Sequence, residues 1–165
     1  AEGGFYTAAG AVDCGDEHRL YICGARHTHG WYLDSSWKRL DRWKTVLQEE
    51  GLARISFARW PKWRLFGFRA DPEGSIELRL DGIRAASRLC LNYECDPTGS
   101  VRVEVLDDAE RNVDTSVPMT GSSLSREVAW RDTDLLATHP DGGRITVRLH
   151  LERATVWAFE TRPVA

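Results

Sequence analysis

The chain has 165 residues, room for one domain with a core of ordinary size or one domain with an appendage. A formal net charge of −3 and a pI near 6.0 supply no broad positive field for a phosphate backbone, which excludes nucleic acid as an expected partner. No apolar run reaches the roughly 20 residues of a membrane-spanning helix, so no membrane partner is expected either.

The sequence opens on AEGG directly before strand-like FYTAAGAV, so the chain is expected to be a processed or truncated piece of a longer protein. Alternating apolar and polar residues predict strands over 6–13 and 19–27, joined by a turn at 15–18. Asp13, Asp16 and Glu17 cluster at that turn and read as solvated hairpin residues. Cys23, His27 and His29 share strand parity, yet no fourth ligand stands at a recognisable spacing, so no metal is expected. No cofactor is expected: the chain has no phosphate-cradling glycine loop, no dinucleotide fingerprint and no serine nucleophile elbow. Cys90 and Cys95 point to opposite faces of one strand and Cys14 is not opposite Cys23, which favours four free thiols.

Ser35 or Ser36 can cap a helix whose apolar positions Trp37, Leu40, Trp43 and Leu47 recur at helical spacing, and Gly51 can end it. Strands are expected again over 52–60 and 64–69. Four antiparallel strands in a row have the pattern of a propeller blade, here with one helix inserted near 36–50. Beside the insert stand Arg26, His27, His29, Trp31 and Tyr32, the candidates for binding carbohydrate. Sugar rings stack their C–H faces on indole and phenol rings while His and Arg donate to hydroxyls. Trp37 and Trp43 fit the helical stripe and are assigned to packing, and Trp60, Trp63, Trp130 and Trp157 to the core or a sheet interface.

Asp71, Pro72, Glu73 and Gly74 predict a turn and a domain boundary, dividing the chain into 1–70 and 71–165. Beyond it, strands are expected over 75–80, 88–94, 100–107, 125–131, 144–152 and 155–161, with turns at 96–99 and 107–110. Val101, Val103 and Val105 face one way and Arg102 and Glu104 the other, so one sheet face is buried. Two packed antiparallel sheets are expected, a jelly-roll-like β-sandwich, with Trp157 and Phe159 alternating as core residues.

The segments GSIELRL, LCLNYEC, VRVEVLD, a strand closing on VAW and the final ITVRLHLERATVWAF follow DEHRLYICGARHTHG and LARISFARWPKWRLFGFRA. In that order they resemble the last blade and the C-terminal β-sandwich of five-bladed-propeller glycoside-hydrolase-like proteins, over residues 10–70 and 75–160. The resemblance implies an accessory portion, structural or carbohydrate-binding, whose partner is an oligo- or polysaccharide. Members that hydrolyse glycosides place carboxylates on the inner strands of several blades. One blade cannot hold two opposed carboxyl groups across a scissile bond, so no catalytic residue is assigned. An alternative is a fragment of an active glycosidase whose edge at residues 27–31 completes the substrate pocket. A third reading is a purely structural interaction module. A lone blade exposes apolar surface, so the helical insert is expected to fold over the sheet, or the chain to self-associate or meet the remainder of a propeller, with Trp31, Tyr32, Trp37 and Trp43 in the contact.

Overall fold

A computed structural model of the chain describes residues 5–25, 53–81, 87–107, 109–132 and 145–164, and the regular secondary structure in them is all β. The helix expected near 36–50 and the candidates Arg26, His27, His29, Trp31 and Tyr32 lie outside the described residues. The chain forms two compact units, Ala1–Lys62 and Trp63–Ala165, and each is taken by itself.

The first unit holds β1 (Phe5–Thr7), β2 (Val12–Asp13), β3 (Glu17–Ala25) and β4 (Ala53–Pro61), all antiparallel. β1 and β2 share one edge of β3, with Thr7 opposite Ile22 and Val12 opposite Arg19. The four residues between them face only two on β3, and this breaks the expected single strand in two. β4 covers the other edge of β3 along its whole length. A two-residue hairpin joins β2 to β3: Cys14 N donates to Glu17 O, Gly15 takes φ +79°, and Gly15 N donates to Asp13 Oδ1 at 3.2 Å. Only the first central residue needs positive φ, the pattern of a type II′ turn. Register places Tyr6, Val12, Tyr21, Ile55 and Phe57 on one face of this sheet, and all five are exposed, Ile55 at 79%. Arg19 lies 5.1 Å above the Phe57 ring, a cation–π approach.

Residues 64–69 do not supply a fourth blade strand. Phe68 instead begins β5 (Phe68–Leu80), which belongs to the second unit and runs through Asp71-Pro72-Glu73-Gly74, where a turn and boundary were expected. A register shift between Ala70 and Glu73 absorbs the proline, which has no N–H to give to the ladder. The other strands of this unit are β6 (Ser87–Leu106), β7 (Asn112–Thr115), β8 (Ser122–Glu127) and β9 (Ile145–Pro163). They form one sheet in the order β5-β9-β6-β7, with β8 on the same edge of β6 as β7's neighbour segment. One continuous sheet thus stands in place of the two packed sheets expected from residue 75 onward.

The reason is that two pairs of expected strands are each one long strand. Asp96-Pro97-Thr98-Gly99 is a bulge inside β6, not a turn: pairing with β9 lapses between Cys95 and Ser100 and resumes beyond. Arg153, with φ +42°, sits opposite the gap. Each half of β6 then takes its own neighbour, β7 opposite Glu104–Leu106 and β8 opposite Cys90–Glu94. Between them Val117 N donates to Ala129 O and Val128 N to Leu89 O, so the bend is filled by backbone hydrogen bonds.

The core lies on one face of this bent sheet. Val101, Val103 and Val105 from β6 meet Val147, Leu149 and Leu151 from β9, and Leu89, Leu91 and Tyr93 continue it beyond the bend with Ala154 and Val156. Met119, Val128 and Trp130 also enter it. The inward residues of β9 are odd-numbered up to Leu151 and even-numbered at Ala154 and Val156, because the bulge at Arg153 changes their phase. Trp157 and Phe159 therefore do not serve as core residues: Trp157 falls at a second register shift and is half-buried, and Phe159 is exposed. Trp63 is exposed as well. Its neighbour Arg64 turns inward, with a side chain only 11% exposed.

Candidate functional site

Among the described residues, a cleft lined in part by polar side chains is found in each unit. In the first unit the β2–β3 turn comes beside the end of β4 and leaves a cleft of about 500 Å³ lined by Cys14, Asp16, Glu17, Arg59, Trp60 and Pro61. Pairing of His18 with Trp60 sets the position of the indole, and the two rings lie 6.1 Å apart at 53°. Lys62 fixes the turn against the strand end: its backbone N donates to Asp16 O at 2.8 Å and its ammonium lies 2.6 Å from Asp13 Oδ2. That ammonium holds the Asp13 carboxyl below the usual carboxylate range, against a smaller opposing effect of burial. Glu17 accepts from Arg19 Nε at 2.6 Å and has Arg59 Nη1 at 3.7 Å, and the Glu17 carboxylate in turn raises Arg19.

The cleft therefore combines aromatic surface, an exposed carboxylate at Asp16, and a guanidinium at Arg59 that is drawn to Glu17 only loosely. Hydroxyl-rich ligands use this combination, ring stacking for affinity and charged hydrogen-bonding groups for orientation.

In the second unit, register sets out a grid on the open face of β5, β9 and β6. Glu73, Glu152 and Ser100 form one row, Ser75, His150 and Arg102 the next, and Glu77, Arg148 and Glu104 a third. The third row is internally neutralised: Arg148 Nε donates to Glu77 Oε1 at 2.8 Å, and Nη1 lies 3.7 Å from Glu104 Oε2. The same Glu104 oxygen lies 2.8 Å from His150 Nε2, a close ion-pair approach without the alignment of a hydrogen bond. The first two rows line a cleft of about 490 Å³.

Among the described residues no group of three or more His, Cys, Asp and Glu side chains could hold a metal ion. All four cysteines are free, and burial pushes the Cys90 and Cys95 thiols up. No described helix is long and apolar enough to cross a membrane.

The five side chains singled out for carbohydrate, Arg26, His27, His29, Trp31 and Tyr32, lie outside the described residues. Trp60, assigned from sequence to the core or a sheet interface, lines the first cleft. Its strand parity with His18, next to an acidic two-residue hairpin, was the available signal. Neither protein-family models, nor curated proteins, nor solved structures yield a match to the chain. The resemblance to propeller-containing glycoside-hydrolase-like proteins rests on its sequence patterns alone.

Proposed function

We propose that the chain is a carbohydrate-binding module, not itself catalytic, whose ligand stacks on Trp60 with Asp16 and Arg59 facing its hydroxyls. The observation that carries this reading is the cleft at the end of the first sheet, where Trp60 stands beside Asp16, Glu17 and Arg59. Membership of a glycoside-hydrolase-like parent stays part of the same proposal, with the parent's acid and base placed on segments other than this one.

A glycan array followed by calorimetry on the hit tests it. Wild type is expected to bind an oligosaccharide, and Trp60→Ala to lose about tenfold in affinity, the roughly 1.4 kcal/mol expected of a stacking tryptophan. Trp60→Phe keeps an aromatic face and is expected to retain most of the binding, which separates stacking from a loss of folding. Undiminished binding by Trp60→Ala overturns the reading.

A second reading, a structural interaction module, is favoured by the exposed face formed by Tyr6, Val12, Tyr21, Ile55 and Phe57. Light scattering separates the two: self-association abolished by Ile55→Asp, without any glycan binding, supports the interaction module.

A further inference from the structure

The grid on β5, β9 and β6 is unbalanced in one place. Glu73 and Glu152 stand directly opposite each other on adjacent antiparallel strands, a placement that destabilises the pairing when both are charged. Glu152 is met from its own strand by Arg153 at 2.9 Å, whereas the Glu73 carboxylate makes no hydrogen bond or ion pair among the described residues. One row away, Arg102 has only a 3.8 Å approach to Glu104 Oε1, while Glu104 Oε2 is taken by His150. The cleft of about 490 Å³ thus joins two facing carboxylates, with one cation between them at Glu152 and none at Glu73, to a guanidinium with donors to spare.

We propose that this cleft binds a small molecule bearing a primary ammonium group next to an oxygen acceptor. The ammonium lies between Glu73 and Glu152, giving its three donors to carboxylate oxygens, and the acceptor faces Arg102 and His150. Other ligand classes fit less well. A neutral polyol leaves the repulsion between the two carboxylates in place, and a phosphate adds to it. A bare divalent ion finds two carboxylates and no third charged ligand. Two common small molecules share the required chemistry: an amino acid, with its carboxylate as acceptor, and an amino sugar, with a hydroxyl. The site is formed entirely within the second unit and does not depend on the Trp60 reading.

The test is an NMR titration of the full chain with glycine, D-glucosamine and N-acetyl-D-glucosamine, the last keeping the ring and removing the charge. The expected result is that glycine or D-glucosamine shifts the amides around Glu73–Ser75 and His150–Glu152, and that N-acetyl-D-glucosamine does not. Preference for glycine identifies the carboxylate as acceptor, and preference for D-glucosamine the hydroxyl. Glu73→Gln is expected to weaken binding at least tenfold while leaving the melting temperature unchanged or raised, since it removes a like-charge contact. Loss of binding with a lowered melting temperature sends the question to Glu152→Gln, for which the same pair of outcomes is required. The proposal is overturned if neither charged probe shifts these amides at millimolar concentration, if the acetylated sugar binds equally well, or if neither Gln variant weakens binding without loss of stability.

Discussion

Arg64 shows how one side chain can organise a segment that has no regular structure of its own. Its guanidinium donates to Asn92 Oδ1, Glu94 Oε2 and Ser122 Oγ at 2.9 Å, to Tyr93 O at 3.0 Å and to Ser123 O at 3.2 Å. It thereby ties the chain before β5 to both β6 and β8. Arg64→Ala removes five donated hydrogen bonds, three of them part-buried, at an expected cost of about 1–3 kcal/mol in denaturant unfolding. Arg64→Lys is expected to recover little of it, because an ammonium cannot reproduce the planar fork that reaches five acceptors. Asp107 has a comparable local role at the β6–β7 hairpin. Its carboxylate accepts from Arg111 N at 2.8 Å, from Ala109 N at 2.9 Å and from Arg111 Nε at 2.9 Å, and the Arg111 contacts lead in drawing its pKa below the usual carboxylate range. A group whose pKa is depressed on folding contributes stability that is fully present above its unfolded pKa and is lost as pH falls through the folded value. The hairpin is therefore expected to loosen on acidification below about pH 4, and Asp107→Asn to flatten that acid limb in a pH series of thermal melts.

Among the elements, β6 and β9 decide the fold, and their bulges account for most of what sequence reading missed. Proline and glycine at 96–99 and at 72–74 are turn residues by local chemistry, yet in both places the strand continues because pairing with β9 resumes in a shifted register beyond them. Local propensity gave way to pairing. The alternation of Val101, Val103 and Val105 was legible because no bulge interrupts it, and all three are buried. On β9 the same reasoning failed after Arg153, since one extra residue moves every later side chain to the other face, so Trp157 and Phe159 were misassigned. Gly99 is where the bulge is tightest. A Cβ there would stand 2.6 Å from the carbonyl oxygen of Glu152 and closer still to that of Arg153. Backbone oxygens on a central strand cannot move aside, so Gly99→Ala is expected to destabilise by about 1–3 kcal/mol in urea unfolding. A neutral result would mean that β6 and β9 do not approach each other at this bend.

At the scale of the whole molecule, the two units differ in what supports them. Every side chain of the described buried apolar core belongs to the second unit, whereas the first unit's sheet exposes Tyr6, Val12, Tyr21, Ile55 and Phe57. Strands without buried apolar contacts open locally at low free energy. In native-state hydrogen exchange the amides of β6 and β9 are expected to be the slowest, and those of β3 and β4 to exchange at least tenfold faster. The Trp60 cleft was not legible from composition or spacing, because it depends on a turn and a strand end distant in sequence that meet through pairing of Glu17 with Pro61 and His18 with Trp60 and through the contacts of Lys62 with Asp13 and Asp16. The measurement that addresses the binding role most directly is an NMR titration of the full chain with the oligosaccharide selected on a glycan array. The expected result is saturable shifts of the Trp60 indole N–H and of the amides of Cys14–Glu17 and Arg59, with no hydrolysis of the ligand. Binding that leaves all of these resonances unmoved, or no binding by any glycan at millimolar concentration, would contradict it.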